Sequence, residues 1–329
     1  MRALRVHKLG EPRDVLTLED VPTPEAGAGQ LLVRVRAAAV NFPDVLLCRG
    51  LYQIKPPLPF TPGVELCGEV VAVGSDTTGF AVGDRIIGTP TLPVGTFAEF
   101  TVVDADKAFP APPSLDDAQA ASLHIGHQTA WFALHRRAAL QAGETLLVHA
   151  AAGGVGSAAV QLGKAAGARV IAVVGGSAKA EVARSLGADL VVDRHTEDFV
   201  EAVKAFTDGR GADVVFDPVG GDAYRRSTKC IAFEGRIVVL GFAGGEIQSV
   251  PLSHALIKNY SILGLHWGLY ATYNPGAIAE CHRHLTDMAE AGVVAPLVSE
   301  RLPLEALADG VQRLADGTTV GRLVYTPGA

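Results

Sequence analysis

The run Leu146-Leu147-Val148-His149-Ala150-Ala151-Ala152-Gly153-Gly154-Val155-Gly156 passes from an apolar strand through a turn of small residues into a helix that continues from Ser157 to Ala166. Such a junction suits an anion. Gly153 and Gly154 have no Cβ to hold a pyrophosphate off the backbone, and Gly156 lets the helix lie close on the sheet. The helix N-terminus adds unpaired N–H groups, that of Val155 among them, and a partial positive charge. The spacing follows Gly-x-Gly-x-x-Gly with Ala151 in the first place, so the motif alone is also read as a tight strand-to-helix turn without ligand. The surrounding chain separates the two readings.

Outward from this run, strand and helix alternate. Apolar stretches at 145–150, 169–174, 190–193, 214–217 and 237–241 predict short strands, and 155–166, 178–186, 196–206 and 223–233 predict the helices between them, with a sixth strand at 260–265. The strands lack polar–apolar alternation, as expected when helices cover both faces of a parallel sheet, so this part is an α/β, doubly wound βαβ series. Gly167 and Gly187 stand where a left-handed residue closes a helix, and Thr196 reads as an N-cap. The stretch 128–140 is also read as helical. From Leu31 to Val103 the pattern is instead strand-like, with Val33 and Val35 alternating with Arg34 and Arg36, and with an irregular loop around Pro56, Pro57, Pro59 and Pro62. The tail from His266 carries predicted helices at 278–291 and 304–315 and a strand at 322–325. Its glycine and proline density assigns it to the β unit, which places one domain in 1–122 with 266–329 and the other in 123–265.

With 329 residues, 48% of them hydrophobic and 19% charged, the chain is long enough for two cores. A net charge of −7 without a Lys/Arg block argues against nucleic acid or an acidic membrane as the main partner and in favour of a small molecule. No stretch approaches the roughly 18 apolar residues of a membrane span, and the first residues do not form a signal-peptide core, so a cytoplasmic protein is expected. Cys48, Cys67, Cys230 and Cys281 are scattered, which suits a reducing compartment and buried apolar roles.

The second strand of a dinucleotide fold ends near the adenosine ribose, where an NAD-preferring site carries Asp or Glu for the 2′-hydroxyl. Here the chain reads Val174-Gly175-Gly176-Ser177-Ala178-Lys179, without a carboxylate. Ser177 and Lys179 can take a 2′-phosphate, and Arg194, just after the third strand, approaches from the side. Solvated surface charges are the competing reading of Lys179 and Arg194; the missing carboxylate decides for NADPH.

Several further stretches carry a resemblance: Val40-Asn41-Phe42-Pro43-Asp44, Arg49-Gly50-Leu51-Tyr52, Pro62-Gly63-Val64-Glu65, 79–85, Asp217-Pro218-Val219-Gly220-Gly221 and Gly264-Leu265-His266-Trp267-Gly268, together with Gly153-Gly154-Val155-Gly156. Over essentially its whole length the chain resembles the medium-chain dehydrogenase/reductases, in particular their zinc-free quinone oxidoreductase (zeta-crystallin-like) branch. The resemblance implies a GroES-like, mostly β catalytic domain with a Rossmann domain inserted in it, a cofactor cleft at their junction, and a homodimer made through the Rossmann sheet edges, in the region Glu246 to Pro251. It also implies cofactor contacts from Asn41, Thr129, Gly220, His266, Trp267 and Arg322. Gly241-Phe242-Ala243, after a strand, would pass under the nicotinamide. Alcohol dehydrogenases of this superfamily hold zinc through a cysteine and a histidine in stretches where this chain has Asn41 and Val64. Losing two of three ligands leaves no metal site for alcohol chemistry. His124 with His127, and His282 with His284, are read as hydrogen-bonded or surface histidines rather than ligands.

Without a metal, the chemistry rests on holding the reduced nicotinamide against an electron-poor acceptor and on a donor for the oxygen that becomes negative. The resemblance assigns Asn41, Tyr52 and Thr129 as catalytic residues: Asn41 beside the nicotinamide, Tyr52 on the substrate side, Thr129 on the cofactor carboxamide. Their structural alternatives are a loop tie for Asn41, packing for Tyr52 and a helix cap for Thr129. Leu46 stands where relatives often have a second tyrosine, which leaves water as the proton source or favours a bulkier, more apolar acceptor. Phe42, Leu46, Pro57 and Trp267 are candidate apolar wall or core. Glu65 is read as an arginine's partner rather than an acid catalyst, with Asp44 nearby, and Arg322 as a cofactor contact or a surface ion pair. The expected activity is NADPH-dependent reduction of a quinone. The alternatives are reduction of a 2-alkenal or enone, and an NADPH-binding protein with a structural, sensing or RNA-associated role.

Overall fold

The computed structural model describes residues 1–328, and the chain divides into two compact units, Gly126–Val294 and Met1–Ile125 with the C-terminal stretch from Ala295. The division differs from expectation in two segments, of which the shorter, 123–125, falls with the unit of Met1–Ile125. Residues 266–294 belong with the α/β unit, because their long helix Pro275–Glu290 buries Ala277, Ile278, Cys281, Leu285 and Ala289 there.

The α/β unit is built on a six-stranded sheet, ordered in space Leu190–Asp193, Arg169–Val174, Thr145–His149, Ala212–Asp217, Ile231–Val239 and Ser261–Gly264. Every neighbouring pair is parallel. The central strands are buried throughout, Leu146 to Val148 and Val214 to Phe216 at 0% exposure, which accounts for their apolar runs. Strand order reverses between Thr145–His149 and Ala212–Asp217, and the ends of these strands open the crevice where such sheets bind ligands.

The helices Gly154–Ala165, Ser177–Ser185, Phe199–Phe206 and Gly221–Ser227 follow the first four strands. Gly167 and Gly187 adopt φ of 77° and 90° behind the first two, as their positions require. The third helix is capped by Asp198, whose carboxylate accepts from Val200 N at 2.8 Å, and not by Thr196. The fourth ends at Ser227 rather than running to Phe233, since Ile231 already pairs with Ala212 in the next strand. The helix read over 128–140 begins earlier, at Asp117, and gives way after Trp131 to a π-helical stretch, Phe132–Arg137. Thr129 therefore sits inside a helix and caps nothing.

In the other unit, a seven-stranded sheet runs Val298–Leu302, Arg322–Tyr325, Gln30–Ala39, Leu66–Val73, Arg85–Gly88 and Ala108–Pro110, with Phe100–Asp104 also paired to Gln30–Ala39. Arg2–Val6 and Leu16–Asp20 form a separate antiparallel pair. The region is not strand-like without interruption: Phe42–Arg49 is a helix, with Asp44 in its first turn and Gly50 closing it at φ 67°. Leu307–Ala315 lies over the same core through Leu307 and Val311. Among the described residues no helix is long and apolar enough to cross a membrane.

Candidate functional site

The glycine turn of the α/β unit is shaped by backbone contact. A Cβ on Gly156 would stand 2.1 Å from the carbonyl oxygen of Ala150, and one on Gly153 would stand 3.2 Å from it. The first turn of the helix can lie this close to the strand end only because glycine fills position 156. The first intrahelical bond is Ser157 N to Gly153 O at 2.9 Å, so the N–H groups of Gly154, Val155 and Gly156 precede the helix ladder. Gly153, Gly154 and Val155 are half-buried at this open end. A cradle that a side chain would fill, lined by helix-end N–H groups, fits the pyrophosphate of a dinucleotide.

The ends of the second and third strands meet beside it. Arg194 N donates to Val174 O at 2.9 Å, and the Asp193 carboxylate accepts from Gly176 N at 2.9 Å and from His195 N at 3.1 Å. These bonds seat the Arg194 and His195 side chains over Gly175: a Cβ there would come within 3.0 Å of Arg194 Nε and 3.1 Å of His195 Nε2. Ser177 opens the next helix and Lys179 lies in its first turn. Burial, followed by the neighbouring Arg194, pulls the Lys179 ammonium below its ordinary value, so two cations converge on this corner. Lys179 and Arg194 are thus neighbours, and Ser177 opens the helix that carries Lys179. His195 joins them without having been singled out.

The turns after the fourth and fifth strands are joined. Asp217 Oδ1 accepts from Val219 N and Gly220 N, each at 2.9 Å, while Ala243 N donates to Pro218 O at 3.0 Å. Phe242 packs over bare Gly220, where a Cβ would meet its ring at 2.7 Å. Gly241, Phe242 and Ala243 therefore share one surface with Gly220. Trp267 Nε1 donates to Gln128 Oε1 at 3.2 Å, which ties the segment of His266 and Trp267 to the helix carrying Thr129.

Asn41, Tyr52 and Arg322 lie in the other unit, around a buried polar cluster. The Arg322 guanidinium is 4% exposed and pairs with Glu65, at 0% exposure, across 3.2 Å. It also donates to Asn41 Oδ1 and, at 3.4 Å, to Val40 O. Glu65 accepts from Asn41 Nδ2 and from Ile125 N, each at 2.8 Å. Glu65 is thus an arginine's partner, and Arg322 is a buried ion pair rather than a surface one. Both amide protons of Asn41 are committed, one to Glu65 and one to Ala39 O at 3.1 Å, so its side chain ties the loop together and has no donor to spare. Asp44 completes the cluster by accepting from Asn41 N at 2.8 Å and Gly63 N at 3.0 Å. Burial outweighs these two bonds and pushes its carboxyl up to about 7. Burial likewise raises Glu65, against the pull of Arg322. Tyr52 is half-buried against the same core, and burial, then the charge of Asp44, raises its phenol, which keeps its proton.

His124, His127 and His282 are buried rather than surface residues, and among the described residues no three His, Cys, Asp or Glu side chains group as metal ligands. All four cysteines are buried, and burial raises every thiol, to about 12 for Cys48, Cys67 and Cys230.

Comparison with known proteins agrees with both units. Residues 154–283 match the zinc-binding dehydrogenase family and residues 27–113 the alcohol dehydrogenase GroES-like domain. The chain is 38% identical over 327 residues to the quinone oxidoreductase-like protein 2 homolog of Nematostella vectensis, covering 98% of this chain and 88% of that protein. It is 36% identical over 317 residues to quinone oxidoreductase-like protein 2 of Mus musculus, covering 96% and 90%. The crystal structure of Escherichia coli quinone oxidoreductase complexed with NADPH superposes with a TM-score of 0.92 at 30% identity, over 99% of this chain and 100% of that one.

Proposed function

The chain belongs to the medium-chain dehydrogenase/reductase family, in its zinc-free quinone oxidoreductase branch, and from that premise we propose that it binds NADPH and reduces a small quinone without a metal ion. The observation that carries the reading is the pairing of a bare glycine cradle with an adjacent basic corner at the ends of the first three strands. NADPH, when bound, supplies a hydride.

The chain's own residues hold and orient. The N–H groups of Gly154, Val155 and Gly156 take the pyrophosphate, while Ser177, Lys179 and Arg194 take the ribose phosphate. Thr129 orients the carboxamide, and the joined turns at Gly220 and Gly241–Ala243, with His266 and Trp267, back the nicotinamide. Tyr52, which keeps its proton, donates to the acceptor oxygen. Asn41 acts as a positioning residue, since its donors are spent, and Arg322 holds it in place rather than touching the cofactor. Leu46 offers no second phenol, so water supplies the proton that a hydroquinone anion needs.

We also propose a homodimer. Ile247, Leu252, Leu256 and Ile257, in the segment that leads into the edge strand Ser261–Gly264, are each at least 74% exposed and bring apolar area that pairing two such edges would cover. The function is tested by following loss of NADPH absorbance with para-quinones, ortho-quinones and 2-alkenals. Faster turnover of quinones supports the proposal, and turnover of alkenals alone replaces it with the enone reading. Tight NADPH binding without oxidation by any acceptor, or turnover that requires stoichiometric zinc, would overturn it.

A further inference from the structure

The basic corner holds one more group than two cations account for. Arg194 Nε and NH2 and His195 Nε2 all lie 3.0 to 3.2 Å from the place a Gly175 Cβ would occupy, so the guanidinium and the imidazole stand side by side over the bare, half-buried backbone of Gly175. Next to them, Gly176 has φ 98°, and a Cβ on it would meet nothing within 4 Å. Gly176 therefore leaves an open floor, with Arg194 and His195 standing over Gly175 on one side of it and the helix start bearing Lys179 following directly. One carboxylate faces this group. Asp193 Oδ1 lies 3.8 Å from His195 Nδ1, but it accepts the N–H groups of Gly176 and His195 and so holds the corner in shape. Nε2 is the ring nitrogen turned toward Gly175.

Resting on the NADPH reading above, we propose that His195 is a direct ligand of the ribose 2′-phosphate and, with Arg194, sets the preference for NADPH over NADH. A phosphate seated over Gly176 accepts from the Arg194 guanidinium and from His195 Nε2 beside it, a forked arrangement that a ribose hydroxyl cannot fill. The contact is solvent-exposed, with 57% of the His195 side chain accessible, so its effect is smaller than that of a buried pair.

The test is binding, measured by calorimetry and by nicotinamide fluorescence, with NADPH against NADH and with adenosine 2′,5′-bisphosphate against 5′-AMP. His195→Ala should weaken NADPH and the bisphosphate about three- to thirty-fold and leave NADH and 5′-AMP unchanged. His195→Arg should restore the preference. Gly175→Ala, whose Cβ would crowd only the ends of two flexible side chains, should mimic the loss while the fold persists. If the wild type prefers NADPH and His195→Ala keeps that preference in full, the inference falls while the cofactor reading stands. If the wild type binds NADPH no better than NADH, the cofactor reading falls and takes the inference with it.

Discussion

Replacing Arg322 by leucine probes the electrostatics of the GroES-like unit most directly. The guanidinium and Glu65 are both buried and lie 3.2 Å apart. Leucine leaves the Glu65 carboxylate with only the amide of Asn41 and the N–H of Ile125. An uncompensated buried charge of this kind costs about 3–5 kcal/mol. The protein can escape part of that cost by protonating Glu65. Burial already raises this group and Arg322 is the largest influence that lowers it, so losing Arg322 raises it further. A carboxyl whose folded value exceeds its unfolded one contributes stability at low pH that is lost as pH rises through the folded value. The deficit of Arg322→Leu is therefore largest at about pH 8 and shrinks toward about pH 5. Both tryptophans, Trp131 and Trp267, lie in the other unit, so fluorescence would miss the event. Urea titration read by hydrogen-exchange mass spectrometry, on peptides covering 37–48 and 322–325, reports it. Adding Glu65→Gln to the same chain removes the stranded charge and should recover a large part of the loss. A deficit below about 1 kcal/mol, the scale of a surface pair, or one that does not change with pH, would refute the reasoning.

Asp44→Asn removes a carboxyl that the fold holds at about 7 against an ordinary 3.8. Its contribution is full below the ordinary value and fades as pH rises through the folded one, by about 4 kcal/mol for a shift of this size. Urea midpoints of the variant should therefore gain on the wild type between about pH 4 and about pH 8, over a constant penalty for replacing one acceptor oxygen by an amide. In the α/β unit, Gly156→Ala drives a methyl into the Ala150 carbonyl, so NADPH affinity by calorimetry should fall by about tenfold or more while circular dichroism stays native. Leu256→Glu, on a residue 78% exposed, should convert a dimer to monomers in sedimentation without touching cofactor affinity; a dimer that survives it places the interface elsewhere.

The α/β unit was largely legible because each of its signals is local. A strand buried on both faces needs an unbroken apolar run, and a helix packed on it needs a glycine or a cap within a few residues of each end, so Thr145–His149 and Gly154–Ala165 announce themselves. Errors arose where two local signals competed. Asp198 outdid Thr196 as a cap because its carboxylate reaches Val200 N, and Ile231 left the predicted helix because strand pairing claimed it. Phe42–Arg49 had a start signal in Asn41, Pro43 and Asp44, masked by the strand-like residues around it. The polar cluster is of another kind. Asn41 and Arg322 are 281 residues apart and meet because Val324 and Tyr325 pair with Ala39 and Ala38 in the sheet, a register that no periodicity encodes. His195 was missed for a related reason: its position depends on the Asp193 carboxylate bonding across to Gly176 from the neighbouring strand. Residues that act through their own turn can be read from spacing, whereas those held by a partner on another strand become visible only once the strands are paired. The same distinction changed the role of Asn41. Its place in a family motif says nothing of the bond to Glu65, 24 residues away, which with the local bond to Ala39 O takes up both amide protons, or of Arg322, which donates to its oxygen.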